Sequence, residues 1–255
     1  MNTSNIAAVT EALTRARHER RTVDSASYAD VLGNAAEAYA VQSAVAQSLG
    51  WQTPSAGRYW KSGGSSRDAE LTHAALPPAG VWGSPADAGS WPFTWRGIEA
   101  EIALRLGCDV DAALAAKLDY TAAAELIDAM TVSIEIVDSR WGQYINAPPL
   151  LKLADLQSHG ALVLGDWQAF EPRDWAAQRC RVQIAQKITE RCGTHALGDP
   201  AFCLPAWLRH ATREDRVVEA GSVVTTGTWV GILDAAVGDL VTVVFEGVGH
   251  ASVQL

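Results

Sequence analysis

Two glutamates stand one residue apart in Ile98-Glu99-Ala100-Glu101-Ile102. On a strand, alternate side chains share a face, so both carboxylates point one way while Ile98, Ala100 and Ile102 point the other. The carboxylates then lie roughly 7 Å apart and repel unless water or a cation sits between them. Alone, the pattern reads more simply as a solvated strand face. Glu135 shifts the balance. It lies in Ser133-Ile134-Glu135-Ile136-Val137, an apolar β-branched run of the kind found in interior strands, where a carboxylate needs a partner. Three carboxylates with open positions for water and substrate suit Mg²⁺ or Mn²⁺. Zinc fits less well, because no His or Cys shares these segments. Asp138-Ser139-Arg140 follows directly. Arg140 either pairs with Asp138 or reaches a substrate carboxylate.

These side chains need elements to hold them. Apolar residues at helical spacing (Ile6, Val9, Leu13, Ala16) predict a helix over 5–21. A second helix is expected over 34–49, with Asn34 as N-cap and Gly50 as stop. From Thr53 to Trp91 the chain is rich in Gly, Ser and Pro and reads as loop. A strand is expected from Gly97, a helix over Tyr120–Met130, and a strand over Val132–Val137. Further strands are expected at Gly160–Leu164, Arg181–Ile188, Ser222–Thr226, Leu240–Glu246 and His250–Gln254, with a helix at Ala201–His210. Two helices followed by many short strands predict an α+β chain dominated by mixed β-structure. An N-terminal helical and loop region, 1–80, precedes a catalytic mixed-β region, 81–255, the two forming one compact unit.

Composition narrows the function. The 255 residues are 48% apolar and carry a formal charge of −9, which disfavours nucleic acid as a partner. The basic run Arg15–Arg21 reads as a solvated helix face or an oligomer contact. No apolar run of membrane-spanning length occurs, and the N-terminus lacks signal-peptide order, so a cytoplasmic protein with no membrane partner is expected. Cys108, Cys180, Cys192 and Cys203 form no CxxC pair and read as small apolar residues. Ten tryptophans serve as packing anchors, with a few available to a pocket or an interface. Neither a P-loop, a GxGxxG turn nor a GxSxG elbow is present.

Several segments resemble, in order, the hydratase/decarboxylase branch of the fumarylacetoacetate hydrolase superfamily, the 2-oxopent-4-enoate hydratases and 4-oxalocrotonate decarboxylases. Ile98–Leu106 resembles its E-x-E strand, and Ser133–Arg140 the segment of its third acidic ligand. Gly57-Arg-Tyr-Trp-Lys-Ser-Gly-Gly-Ser-Ser66 resembles its lysine loop, with Lys61, Gly63, Ser65 and Ser66 in the matching places. Cys192–Leu208 resembles its small-residue loop and Trp-Leu helix, and Val217–Thr228 with Ala236–Gly249 its C-terminal strands and T-G-T turn. The resemblance runs from about Ala38 to the C-terminus. It departs at Leu76–Val81, where many relatives carry an acidic residue, and at Tyr59-Trp60 and Ser62 around the lysine.

The resemblance implies a fumarylacetoacetate hydrolase-like β-sandwich or roll with N-terminal helices. It implies Glu99, Glu101 and Glu135 as ligands of Mg²⁺ or Mn²⁺, and a 2-oxo acid or its 2-hydroxy-dienoate enol as substrate. Lys61, otherwise read as a surface lysine, becomes an electrostatic partner or proton donor. Hydration of 2-hydroxypenta-2,4-dienoate is expected first, decarboxylation of 4-oxalocrotonate second. Acylpyruvate C–C hydrolysis and an inactive 2-oxo acid-binding partner subunit are further alternatives. His73 either replaces the missing acid as a proton shuttle or is a bystander, and His195 has the same standing. The Ser65, Ser66 and Thr228 hydroxyls and the backbone N–H groups near Gly63 and Gly227 are expected at the substrate carboxylate. A homo-oligomer is expected, with a complex with a related hydratase or decarboxylase as a further partner.

Overall fold

Asn2 and Asn34 open the first two helices, each accepting a hydrogen bond from a backbone N–H three residues on. The computed structural model describes residues 2–51 and 57–255. The first four residues of the predicted Thr53–Trp91 loop therefore lie outside the described residues. Helix α1 spans Thr3–Glu19 and stops at Arg20 in the left-handed region; α2 spans Ala35–Ser48. Then come β1 (Tyr59–Gly63), β2 (Thr72–Ala75), β3 (Val81–Gly83), β4 (Ala86–Asp87) and β5 (Gly97–Leu106). Short helices α3 (Ala112–Ala115) and α4 (Tyr120–Ala124) lead into β6 (Ile127–Val137). After them follow α5 (Pro149–Ala154), β7 (His159–Leu164), β8 (Gln168–Ala169), β9 (Arg179–Ile184) and β10 (Lys187–Cys192). The chain ends with α6 (Leu204–Ala211), β11 (Val223–Thr225), β12 (Leu233–Asp234), β13 (Leu240–Phe245) and β14 (Gly249–Gln254). None of the described helices is long and apolar enough to cross a membrane.

Three expectations are corrected. The helix predicted to Met130 ends at Ala124, because Ile127–Met130 join the long antiparallel ladder of β6 with β5. Arg181–Ile188 is a hairpin rather than one strand, turning at Ala185, whose φ is 48°. The presumed loop before Trp91 holds four short strands. β1 and β2 pair with each other, but the other partners are distant in sequence: β1 also runs parallel to β11, and β3 runs parallel to β7.

Nine strands form one sheet, ordered β2-β1-β11-β5-β6-β7-β3, with β12 on β5 and β8 on β6. Five form a second sheet, ordered β10-β9-β13-β14-β4. The sheets pack face to face over Ile98, Ile102, Ile134 and Ile136 from the first and Val182, Val243 and Val253 from the second. A separate cluster joins α1, α2 and α5 around the fully buried Trp141. β1 and β2, from the N-terminal region, are strands of the large sheet.

Candidate metal and active site

Ile98, Ala100 and Ile102 face the inter-sheet core, so the strand period sends Glu99 and Glu101 to the opposite face. The β5–β6 register sets Glu99 against Glu135 and Glu101 against Ser133. One carboxylate oxygen from each of the three glutamates lies within 4.8 Å of the others. Glu101 and Glu135 are buried and Glu99 is half-buried.

Lys61 completes the cluster from β1. Three strand spacings separate β1 from β6, roughly 14 Å in a flat sheet. Lys61 Nζ nevertheless donates to Glu135 Oε1 at 2.6 Å and to the carbonyl of Gln157 at 3.3 Å. The sheet must therefore curl around this face. Leu156, Gln157 and Ser158, with φ of 52°, 55° and 60°, form the bend that presents the Gln157 carbonyl.

Two further side chains bind the carboxylates, and a third supports one of them. Thr225 Oγ1 donates to Glu101 Oε2, and Ser133 Oγ lies 2.8 Å from Thr225 Oγ1. His159 Nδ1 lies 3.0 Å from Glu135 Oε1. A carboxylate can only accept, so Nδ1 carries the proton and Nε2 is a lone pair. Sequence reasoning missed all three residues. Strand alternation alone places Ser133 on the face of Glu135, but nothing local links His159 or Thr225 to the glutamates.

Charge and burial work against each other here. Burial first, then Glu101 and Glu135, raise Glu99 well above the usual carboxylate range. Burial and then Glu135 push Glu101 up to about 7. Burial acts the same way on Glu135, but Lys61 and His159 outweigh it and hold its pKa below the ordinary value. Burial disfavours the Lys61 ammonium, yet Glu135, Glu99 and Glu101 together raise its pKa, so it stays protonated. Glu135 Oε2 is buried with no hydrogen-bond partner among the described residues. Excess negative charge, an orphaned oxygen and an all-oxygen donor set fit a hard divalent cation, held by Glu99, Glu101 and Glu135.

The other predicted residues divide. Gly63 and Gly227 adjoin, a Cβ on Gly63 reaching Gly227 Cα at 4.0 Å, and the Gly227 N–H supports Glu101. Gly227 has φ of 105°, a conformation that glycine tolerates. Ser65 and Ser66 lie in the turn after β1, exposed and half-buried, and make no side-chain hydrogen bond among the described residues. His195 is buried, and its Nε2 donates to the Thr226 carbonyl at 2.7 Å, buttressing the turn before Gly227.

Three residues offered for the site are engaged elsewhere. Of the two roles open to Arg140, the structure shows the ion pairs: its Nε donates to Asp155 Oδ1 at 2.6 Å, Nη1 faces Asp138 Oδ2 at 3.5 Å, and Nη2 donates to the His159 carbonyl. The Thr228 hydroxyl is used within its own turn, donating to Gly231 O and accepting from Val230 N. His73 pairs with Ser62 across β1–β2, on the face opposite Lys61, with Nδ1 2.9 Å from Ser62 Oγ. There it packs against His210, and burial followed by Arg213 lowers its pKa to about 4.

Comparison with known proteins follows the geometry. The model of the fumarylacetoacetate (FAA) hydrolase C-terminal family matches residues 60–255. The fold is similar to 4-oxalocrotonate decarboxylase from Pseudomonas putida G7 complexed with magnesium and adipate, with a TM-score of 0.84 at 18% identity over 100% of this chain and 98% of that one. The same enzyme complexed with calcium and acetate gives 0.82 at 19% identity, with the same coverage. The 5-carboxymethyl-2-hydroxymuconate delta-isomerase of Mycobacterium smegmatis gives 0.55 at 16% identity, covering 77% of each chain. No curated protein matches the sequence.

Proposed function

Since the chain belongs to the fumarylacetoacetate hydrolase family, we propose that it is a divalent-metal-dependent lyase acting on a small 2-oxo acid, with decarboxylation of a 4-oxalocrotonate-type substrate as its reaction. The observation that carries this reading is the convergence of Glu99, Glu101, Glu135 and a protonated Lys61 on one buried face. A cation held by the three carboxylates would supply positive charge against a developing enolate oxygen.

The chain's own groups favour decarboxylation over the hydration expected first from the sequence. Adding water across an alkene calls for a group that activates water. His73 faces away, and both hydrogen-bonding lone-pair roles of Glu135 Oε1 are taken by Lys61 and His159. Decarboxylation makes a smaller demand. The carbon–carboxylate bond breaks, its electron pair enters the conjugated system as a dienolate, and one proton is returned. Lys61 Nζ, kept charged by its carboxylate neighbours, is placed to return it. Similarity to a 4-oxalocrotonate decarboxylase along the whole chain, N-terminal helices included, supports the same choice.

Proton NMR of the purified protein with Mg²⁺ and 4-oxalocrotonate tests the proposal, with EDTA and Glu101→Gln samples alongside. Loss of CO₂ to give 2-hydroxypenta-2,4-dienoate, absent from both controls, is expected. Conversion of added 2-hydroxypenta-2,4-dienoate to 4-hydroxy-2-oxopentanoate, with 4-oxalocrotonate untouched, would restore hydration. Turnover indifferent to both controls would remove the carboxylates from the chemistry.

A further inference from the structure

Glu101 is flanked by hydroxyls from the strands on either side of it. Ser133 of β6 stands directly across from it in the β5–β6 register. Thr225 of β11 stands across from Ala103, the next residue of β5 on the same face. β11 and β6 lie two strand spacings apart, roughly 10 Å in a flat sheet, yet Ser133 Oγ is 2.8 Å from Thr225 Oγ1. The curl of the sheet closes the two hydroxyls over β5. Thr225 is 1% exposed and Ser133 0%, so bulk water does not compete for either.

These hydrogen bonds run in one direction. Holding a cation, Glu101 is a carboxylate and only accepts, so the single hydroxyl proton of Thr225 goes to Glu101 Oε2. Thr225 Oγ1 then accepts from Ser133. No other side chain among the described residues donates to Glu101. The bond fixes the carboxylate plane and draws on the donor strength of Oε2 but not of Oε1. Glu135 is arranged alike: Lys61 Nζ is 2.6 Å from its Oε1, while its Oε2 has no partner among the described residues. Two of the three carboxylates thus each have one oxygen engaged by the protein and one left over.

That asymmetry bears on which cation the cluster prefers. Ca²⁺ takes about 6–8 oxygens in a flexible shell and readily uses both oxygens of one carboxylate. Mg²⁺ is smaller, demands near-octahedral geometry and keeps several of its waters. The narrow bite of a two-oxygen carboxylate departs from octahedral angles, so single carboxylate oxygens suit Mg²⁺.

We propose that Thr225, oriented by Ser133, is a positioning residue that confines Glu101 to coordination through one oxygen and so favours Mg²⁺ over Ca²⁺ at the glutamate cluster. The inference rests on the reading that the three glutamates hold a divalent cation, and it is independent of which substrate is turned over.

Calorimetric titration of Mg²⁺, and separately of Ca²⁺, into the metal-free full-length protein is the test. Thr225→Val keeps the shape of the side chain and removes the hydroxyl. Mg²⁺ binding is expected to weaken about tenfold or more, as it does when a group that orients a ligand is lost. Ca²⁺ binding should hold or tighten, so the ratio of the two affinities falls. Thr225→Ser, which keeps the hydroxyl, should keep the wild-type ratio. Ser133→Ala should lower the ratio by a smaller factor, and it carries the same test if Thr225→Val does not fold. Equal weakening of both ions in Thr225→Val, an unchanged ratio, or a ratio that falls as far in Thr225→Ser would each make Thr225 a packing residue and overturn the assignment. A wild-type protein that binds neither ion would remove the cation reading itself, a result distinct from a lost preference between ions.

Discussion

Glu135 shows how one side chain is divided between positioning and binding. Its Oε1 accepts from Lys61 and His159, which fixes the carboxylate plane, while its Oε2 is left bare. Lys61 offsets part of the negative charge that a cation would neutralise, so the ammonium and the cation compete electrostatically. Lys61→Met should therefore separate the two roles. Turnover is expected to fall about a hundredfold or more, as loss of a proton donor does. Mg²⁺ affinity, followed by the shift of the thermal midpoint with metal concentration, should hold or tighten. Weakened Mg²⁺ binding would instead make Lys61 a scaffold for the carboxylates. Arg140 belongs to the opposite category. It is buried between Asp138 and Asp155, and Arg140→Met removes the buried positive charge that both carboxylates face. The expected loss is about 3–5 kcal/mol in urea unfolding, with KM unchanged in the folded fraction. A raised KM at unaltered stability would return Arg140 to the substrate.

At the level of elements, β1 shows how a strand divides its labour. Lys61 serves the glutamate face, while Trp60 and Ser62 face the other way, toward α6 and His73. The imidazole of His73 packs 4.8 Å from that of His210 and 4 residues' worth of β2 holds it in register. Burial, with Arg213 beside it, keeps the folded pKa of His73 at about 4; burial, with His73 beside it, keeps that of His210 at about 3. In the unfolded chain both return to the ordinary histidine value of roughly 6.5. The unfolded state thus binds protons below pH 6.5 that the folded state refuses. The stability these residues retain is complete above pH 6.5 and is lost as pH falls toward 4. For His73 the shift corresponds to about 3 kcal/mol at full expression. Urea unfolding between pH 7.5 and 4.5 should show this decline, and His73→Asn should flatten it. A slope unaltered by the substitution would place the titrating groups elsewhere.

On the scale of the whole molecule, the inter-sheet core and the helical cluster are separate apolar bodies. The inter-sheet core lies on one side, and the helical cluster around Trp141, with α1, α2 and α5, lies beyond the strand ends that carry Asp138 and Arg140. The region matched by the family model begins at residue 60 and so leaves α1 and α2 out. Those helices cover Trp141, Leu151 and Leu153, which are buried in the full chain. A chain starting at Gly57 should expose these side chains, lower the thermal midpoint by about 10 °C or more and aggregate on heating. An unchanged midpoint would show that the helices are an accessory layer.

The three glutamates were legible because a strand has a fixed period. Alternation puts Glu99 and Glu101 on one face, and a carboxylate within an apolar β-branched run marks Glu135 as exceptional. The long strands, the N-terminal helices and the α+β class follow from similarly local patterns of polarity and capping. The family resemblance singled out Lys61, Gly63 and Gly227, yet the sequence held no sign that Lys61 spans three strand spacings to touch Glu135. That contact depends on the curl of the sheet, a property of all nine strands together. Thr225 and His159 were hidden for the same reason: each reaches a glutamate only through strand pairing across 124 and 24 residues. The sequence left two roles open for Arg140 and for His73 and offered the Thr228 hydroxyl to substrate, because residue type reveals a capacity for chemistry, whereas the partner that consumes it is chosen by packing. Local sequence determines which way a side chain leaves its own strand; only the tertiary fold decides what it meets there.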